Sequence, residues 1–313
     1  MTVALDVQAV QVAIPHHRTS VLAVTDVAFT IEQGEALGLV GESGSGKSLT
    51  LRALMGILPP RTSQEALRLS YGEAAGHRMA MIFQEPLAAM SPTKRVQDLI
   101  AEGVMATRSV PRRAARARAL ELLAEVGIPQ PAQRARAWPH ELSGGLRQRV
   151  VIAMALATDP TVLLCDEPTT ALDVTVQDQI LGLLDQLRRD RGMAILFVSH
   201  DLAVVATLCQ RIAVMYAGQI IEVGSTHDVL RAPKHPYTAA LLQASRSRSG
   251  VQTSRPIGGS PPAPETFAEG CRFADRCRAA KDVCRTAPYR LATVAQQHAT
   301  ACVRVDELGR DVL

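Results

Sequence analysis

The sequence predicts an α/β fold built on a mainly parallel β-sheet, and three observations support this. First, short apolar runs do not alternate in polarity, as expected for strands covered on both faces. These runs are residues 37–40, 79–83, 162–165 and 194–198. Second, helical periodicity lies between the runs: one face of residues 174–189 carries Val176, Ile180, Leu183, Leu184 and Leu187. Third, a glycine-rich loop at residues 41–46 follows the first run. In such a sheet, ligands bind at the strand-to-helix loops of the carboxyl edge.

Composition limits the possible classes of protein. With 313 residues, 47% of them apolar, the chain can hold one large domain and a small appendage. A formal net charge of +4 is too small to indicate nucleic-acid binding. No apolar run reaches the roughly 18–20 residues that a membrane span needs, and residues 1–12 lack the pattern of a secretory signal. We therefore expect a cytosolic protein that acts at a membrane only through other chains.

The glycine-rich loop has the pattern of a phosphate-binding loop. Its glycines allow backbone turns that direct successive N–H groups at phosphate oxygens. Lys47 would supply a point charge to the β- and γ-phosphates, and the Ser48 hydroxyl would ligate Mg²⁺. A helix is expected over residues 47–56. The predicted nucleotide contacts are Gly41, Ser43, Gly44, Ser45, Gly46, Lys47, Ser48 and Leu49.

Two carboxylates follow the third apolar run. Asp166 would hold Mg²⁺, directly or through water, and Glu167 would orient and deprotonate the attacking water. Paired acids at a strand end can also be simple surface termination. Pro168 and residues 169–173 follow at once, which weakens that alternative.

Two further polar residues follow predicted strands. Gln84 comes after residues 79–83 and can contact Mg²⁺ or water, and His200 comes after residues 194–198 and can hydrogen-bond the γ-phosphate. Taken singly, each is more simply an ordinary loop residue. Their position after strands, in a chain that carries the other motifs, favours catalytic roles for Gln84 and His200 beside Glu167.

A Ser-Gly-Gly turn, residues 143–145, opens another predicted helix. Ser143 can cap that helix, while Gly144 and Gly145 leave its positive end unshielded. Backbone N–H groups at such an end are ready to bind an anion.

The phosphate loop and the Ser-Gly-Gly turn together make the chain resemble the ABC-type ATPases. In that family the Ser-Gly-Gly helix binds the γ-phosphate of ATP held by the opposite subunit. The resemblance covers about residues 1–243. Finer motifs resemble the dipeptide/oligopeptide importer branch, namely Gln84-Glu85-Pro86, Pro139-His140-Glu141 and Pro233-Lys234-His235-Pro236-Tyr237-Thr238.

The resemblance implies a P-loop NTPase fold, an ABC-type nucleotide-binding domain, that binds ATP and Mg²⁺. It implies a second ABC ATPase subunit that is related but not identical, two transmembrane permease subunits and an extracytoplasmic substrate-binding protein, with no nucleic-acid partner. The chain would lie peripherally on the cytoplasmic face of the cell membrane. Residues 85–92 would receive the coupling helices of the permeases.

Two departures from the family pattern stand out. The position that commonly stacks on adenine is Ile14, with His16 and His17 nearby, so base stacking is expected to be weak or arranged differently. The interval between Lys47 and Gln84 is short, which predicts a trimmed antiparallel subdomain.

The predicted domain organisation has three parts. Residues 1–243 form the ATPase domain, and an Ala- and Arg-rich helical subdomain is inserted at about 96–157. Residues 244–268 have the Ser, Arg, Gly and Pro composition of a linker. Residues 269–313 form a small cysteine-bearing extension.

Four cysteines in the extension suggest a metal centre: Cys271, Cys277, Cys284 and Cys302. A disulfide is disfavoured in a reducing cytosol, and zinc favours closely spaced cysteine pairs. Thiolates at wider intervals can hold an iron–sulfur cluster. The extension also resembles that of importer ATPases, some of which carry a 4Fe–4S cluster. We predict the cluster, with zinc and free thiols as alternatives.

The sequence therefore predicts the ATP-hydrolysing subunit of a di-/oligopeptide importer. An alternative within the same branch is the ATPase of a nickel or metallophore importer, because cargo is chosen by other subunits. A soluble, non-transport ABC protein is a further alternative. Such proteins usually fuse two nucleotide domains or insert long coiled coils, and neither is seen here.

Overall fold

The computed structural model describes residues 2–17, 19–71, 78–170, 172–248 and 257–308. The strands are β1 (Val3–His16), β2 (Thr19–Val24), β3 (Phe29–Glu32), β4 (Ala36–Val40), β5 (Ser63–Tyr71), β6 (Met79–Ile82), β7 (Val162–Asp166), β8 (Ala194–Ser199), β9 (Arg211–Tyr216), β10 (Gln219–Ser225), β11 (Ala292–Ala295) and β12 (His298–Thr300). The α-helices are α1 (Lys47–Met55), α2 (Val96–Thr107), α3 (Arg112–Glu125), α4 (Pro131–Arg134), α5 (Gly144–Leu156), α6 (Val174–Arg191), α7 (Leu202–Leu208), α8 (Thr226–Arg231), α9 (Pro236–Arg248) and α10 (Asp282–Thr286).

The chain divides into two compact units. The first unit comprises Met1–Ala4, Glu32–Glu35 and Tyr71–Leu196. The second unit comprises Leu5–Ile31, Ala36–Ser70 and Phe197–Leu313. No helix in the described part of the chain is both long and apolar enough to cross a membrane.

The first unit contains parallel strands and a group of helices. β6 pairs with β7 in parallel, from Met79 opposite Val162 to Ile82 opposite Cys165. α3 packs against α2 and α5 through small and apolar side chains at helical spacing. The fully buried side chains of α3 are Ala115, Ala119, Leu122 and Leu123.

The caps and the buried face of α6 follow from its sequence pattern. Asp173 caps its start by accepting a hydrogen bond from the Val176 amide at 3.0 Å, and Gly192 ends it in a left-handed conformation. The apolar stripe is confirmed for four of the five predicted residues: Ile180, Leu183, Leu184 and Leu187 are buried. Val176 is only half-buried, and Leu181 joins the buried face instead.

The strands of the second unit form two arrangements. β4 and β9 pair in parallel, and every residue of β4 is buried, as expected for a strand covered on both faces. On its other side, β9 pairs with β10 in the antiparallel direction. A smaller sheet has the order β2-β1-β3, with β1 and β2 antiparallel, and β5 pairs with β1. Within the interval predicted to be trimmed, β5 remains, while residues 72–77 lie outside the described part of the chain.

The C-terminal extension lies within the second unit and does not form a compact unit of its own. β12 pairs with the edge of β10, Glu222 opposite Thr300 and Val223 opposite Ala299, and β11 pairs with β12. α9 continues to Arg248, so the first residues of the stretch predicted as linker are helical. Residues 249–256 of that stretch lie outside the described residues.

A buried carboxylate joins these parts of the second unit. Glu222 is fully buried and accepts hydrogen bonds from the backbone amides of Lys234, at 2.6 Å, and His235, at 2.9 Å. The Nε2 atom of His298 lies 2.7 Å from the same carboxylate. Burial lowers the pKa of His235 to about 4, partly opposed by the charge of Glu222. His235 is therefore neutral at pH 7, and its Nδ1 accepts a hydrogen bond from the Tyr237 amide at 3.1 Å.

We expect the buried imidazole of His235 to make the fold sensitive to acid. Its pKa is about 4 in the folded chain against 6.5 in the unfolded chain. Between these values the unfolded chain binds a proton that the folded chain does not. The free energy of unfolding therefore falls as pH falls from 6.5 to 4, by up to about 1.4 kcal/mol per pH unit from this group. His235→Asn keeps an acceptor for the Tyr237 amide and should make this fall shallower in urea unfolding series.

The matched control is His140→Asn, because His140 is exposed. It should leave the pH dependence of unfolding unchanged. The same pH dependence in the His235→Asn variant and the parent chain would refute the assignment.

Candidate nucleotide-binding site

The phosphate loop follows β4 and ends where α1 begins. The loop backbone packs directly against other backbone at Gly41, where a Cβ atom would lie 2.1 Å from the Met215 carbonyl oxygen. Gly44 and Gly46 adopt left-handed conformations, with φ of 80° and 106°. Side chains would therefore clash or be strained in this turn, as the glycine pattern predicts.

Lys47 lies at the first position of α1 with its side chain folded over the loop. Its Nζ donates hydrogen bonds to the carbonyl oxygens of Gly41, at 2.8 Å, and Glu42, at 2.9 Å, and lies 3.3 Å from Ser45 Oγ. Lys47 is buried. The structure thus brings a protected positive charge to a loop rich in backbone N–H groups, which suits an anion such as a phosphate chain. Ser48 follows in the first turn of α1.

Three side chains outside the predicted nucleotide site hold this loop. The Glu42 amide donates to Tyr237 Oη at 2.8 Å. The Glu42 carboxylate forms two hydrogen bonds with Arg276, at 2.7 and 3.1 Å, and Arg276 also donates to Tyr216 Oη at 3.2 Å. Tyr237 lies in the motif of residues 233–238 that resembles the importer branch. No local pattern indicates a role for Tyr216 or Arg276.

Burial and hydrogen bonding shift the pKa values around Glu42. Burial raises the pKa of Tyr216 and of Tyr237, so both phenols keep their protons at neutral pH. Burial opposes the charge on Arg276, but hydrogen bonds to Glu42 and Tyr216 outweigh it and raise the pKa of Arg276. Glu42 therefore faces a permanently charged guanidinium.

The two carboxylates predicted for Mg²⁺ binding and catalysis lie in the first unit, at the end of β7. β7 ends in the buried Asp166, and Glu167 follows with φ of 48°, which is uncommon for a residue other than glycine and is found at functional sites. Gln84 Nε2 donates to Glu167 Oε2 at 3.5 Å, and Thr170 Oγ1 donates to the same oxygen at 2.9 Å. The structure thus brings Gln84 and Glu167 together, as the strand-end pattern predicts.

The Ser-Gly-Gly turn caps α5. Ser143 Oγ accepts a hydrogen bond from the Leu146 amide at 3.5 Å, and the helix begins at Gly144. Ser143 and Gly144 are exposed. A Cβ atom on Gly145 would lie 2.7 Å from a methyl carbon of Val176, so this glycine allows α5 to approach α6. The N-terminus of α5 is open to solvent and can receive an anion.

His200 and Ile14 lie in the second unit. His200 is exposed and directly follows β8, as predicted. Ile14 is half-buried in β1, opposite Val21 of β2. Close by, the rings of His16 and His17 contact each other edge to face at 4.5 Å.

The four cysteines of the extension are close enough for their charges to affect one another's pKa values. Burial raises the pKa of Cys271 and of Cys302 to about 11, and it also raises the pKa of Cys277. The neighbouring thiols, Cys284 included, add to these shifts. Among the described residues, however, no group of three or more His, Cys, Asp or Glu is arranged to hold a metal ion. The predicted iron–sulfur cluster therefore has no support in the structure.

Comparison with known proteins defines the class and then the family. Residues 24–170 match the ABC transporter family, which makes this chain an ATP-binding cassette ATPase. Residues 221–284 match the C-terminal region of oligopeptide/dipeptide transporters. The chain is 40% identical to a putative peptide import ATP-binding protein of Brucella abortus, over 97% of this chain and 98% of that protein. It belongs to the ATP-binding subunits of the oligopeptide/dipeptide ABC transporter family.

Two further comparisons concern a second relative and the fold. The chain is 44% identical, over 91% of its length, to the oligopeptide transport ATP-binding protein OppD of Mycobacterium tuberculosis. It spans about half, 49%, of that relative's length. A solved dimeric ATP-binding cassette bound to ADP and phosphate has the same fold, with a TM-score of 0.61 and 24% identity over 71% of this chain and 98% of that one.

We expect Gly41→Ala to destabilise the chain by about 2–3 kcal/mol, because the added Cβ would collide with the Met215 carbonyl. Gly44→Ala is the matched control: this glycine also has positive φ, but no atom lies within 4 Å of an added Cβ. The control should cost only about 1 kcal/mol. Urea unfolding without nucleotide measures both. Equal losses would show that close backbone packing at Gly41 is not the constraint.

Proposed function

We propose that this chain binds Mg·ATP and hydrolyses it to power the import of di- or oligopeptides through a membrane ABC transporter. The observation that carries the proposal is the phosphate loop with Lys47 folded over it, in a chain of the peptide-importer ATPase family. The relatives are named as peptide import or transport ATP-binding proteins. Nucleotide contacts are assigned to Gly41 and to residues 43–49.

Magnesium would be held by Ser48, Gln84 and Asp166. Hydroxyl, amide and carboxylate oxygens are the donors that this cation prefers. When bound, Mg²⁺ offsets the negative charge of the phosphates. Asp166 is buried at the end of β7, which limits its movement.

Glu167 is the proposed general base. Gln84 and Thr170 both donate to its Oε2, and these contacts orient the carboxylate that would take a proton from water. His200 would hydrogen-bond the γ-phosphate.

The site is completed by a second subunit. Ser143, Gly144 and Gly145 would present the N-terminus of α5 to ATP held by the partner. The exposure of Ser143 and Gly144 supports that role. We propose a related, non-identical ATPase subunit as the partner, because the family resemblance favours one.

The proposed organisation places the ATPase domain at residues 1–243, with a helical subdomain at about 96–157, a linker at 244–268 and a cysteine-bearing extension at 269–313. Residues 85–92 would contact two transmembrane permease subunits, which receive cargo from an extracytoplasmic binding protein. The chain would lie on the cytoplasmic face of the membrane.

We expect Glu167→Gln to abolish ATP turnover while leaving ATP binding intact, because the amide cannot accept the proton of the attacking water. Bound ATP should then favour the closed dimer. Phosphate release and fluorescent-nucleotide binding measure the two properties. Glu121→Gln, a change at a 64% exposed side chain on α3, is the control. Near-normal turnover in Glu167→Gln would refute the role.

The 4Fe–4S cluster stays a prediction from cysteine spacing, and its test is chemical. Anaerobically purified protein should contain iron and sulfide and absorb visible light if the cluster forms, and Cys277→Ser should lose both. Zinc without iron would favour the alternative metal. A colourless, metal-free protein with full ATPase activity would reject any metal centre.

A further inference from the structure

Arg276 connects the C-terminal extension to the phosphate loop within the second unit. Its side chain is only 6% exposed. Its guanidinium forms the two hydrogen bonds with the Glu42 carboxylate and the one with Tyr216 Oη. It also donates to the carbonyl oxygens of Gly258, at 2.8 Å, and Ile257, at 3.4 Å. One side chain of the extension thus binds the loop and the chain segment that leads into the extension.

An aromatic cluster fixes the segment that carries Arg276. Phe273 is buried and contacts Tyr216 and Tyr237 edge to face, with ring centroids 5.3 and 5.4 Å apart. Tyr216 and Tyr237 lie 4.5 Å apart. The guanidinium of Arg276 lies 5.7 Å from the Tyr216 ring. The position of Arg276 is therefore set by packing as well as by hydrogen bonds.

Glu42 is held from several directions at the centre of the loop. Its amide donates to Tyr237, its carbonyl accepts from Lys47, and its carboxylate binds Arg276. The negative charge of this carboxylate would repel a bound polyphosphate. Arg276 neutralises this carboxylate. The ion pair is partly buried, since the Glu42 side chain is 25% exposed, and removing Arg276 would leave the Glu42 charge uncompensated.

We propose that Arg276 is a positioning residue that neutralises Glu42, so that the docked C-terminal extension sets the affinity of the phosphate loop for Mg·ATP. This inference rests on the proposed function as an ATPase. It assigns to the extension a role in nucleotide binding that does not depend on any metal.

The test is a set of variants in the full chain, measured by fluorescent Mg·ATP binding and by steady-state ATP turnover. Arg276→Gln leaves the Glu42 charge unpaired and should weaken ATP binding at least about tenfold. Its KM should rise while kcat stays within about threefold, because the variant leaves Glu167 unchanged. The loss should shrink at high salt, which screens charge repulsion.

The decisive variant combines Arg276→Gln with Glu42→Gln. This double variant removes both charges and should bind Mg·ATP within about threefold of the parent chain. A purely structural role for Arg276 would give no such rescue. Arg276→Lys keeps the charge but not the paired hydrogen bonds, so its affinity for Mg·ATP should lie between those of the parent chain and Arg276→Gln. This variant replaces Arg276→Gln in the test if Arg276→Gln fails to fold.

The matched control is Arg285→Gln, because Arg285 is another arginine of the extension, half-exposed and paired with Asp275. It should leave ATP affinity unchanged. The inference is overturned if Arg276→Gln binds ATP within twofold of the parent, if the double variant shows no rescue, or if Arg285→Gln loses as much affinity. Failure of the parent chain to bind or hydrolyse ATP would instead reject the proposed function.

Discussion

The phosphate loop depends on direct packing of backbone against backbone at the end of β4. Gly41 lies so close to the Met215 carbonyl that any side chain would overlap it. This contact holds the loop against the end of β9, next to Tyr216. It also lets Lys47 reach the carbonyl oxygens of Gly41 and Glu42. The buried strands β4 and β9 form the rigid base on which the loop rests. Burial of these apolar strands therefore stabilises the geometry that phosphate binding needs.

Charge in this region is balanced by residues distant in sequence. The loop carries one cation, Lys47, and one carboxylate, Glu42, and the carboxylate would oppose an anionic ligand. Arg276, which belongs to the extension, neutralises the charge of this carboxylate. Tyr216 and Tyr237 supply hydroxyl groups whose raised pKa values keep them uncharged. The anion-binding character of the loop is thus a property of the whole second unit.

Features with local patterns could be predicted from the sequence. The four apolar runs are strands β4, β6, β7 and β8, the glycine loop follows the first of them, and the cap at Ser143 follows from the Ser-Gly-Gly pattern. Gln84 and Glu167 each follow one of these strands, and the structure brings their side chains into contact. The contacts of Glu42 could not be predicted in this way. Tyr237 and Arg276 are 195 and 234 positions from it, and neither periodicity nor motif spacing reports contacts over such distances. The pairing of β12 with β10 likewise has no local pattern in the sequence.

The docking of the extension follows from its size. A segment of this length cannot bury enough apolar surface to fold alone. It gains stability by adding β12 to the edge of β10, which also protects that edge, and by placing Phe273 among Tyr216, Tyr237 and His235. Because the same residues support Glu42, any event that loosens the extension also changes the surroundings of the phosphate loop. The extension is therefore coupled to the nucleotide site by the interactions that allow it to fold.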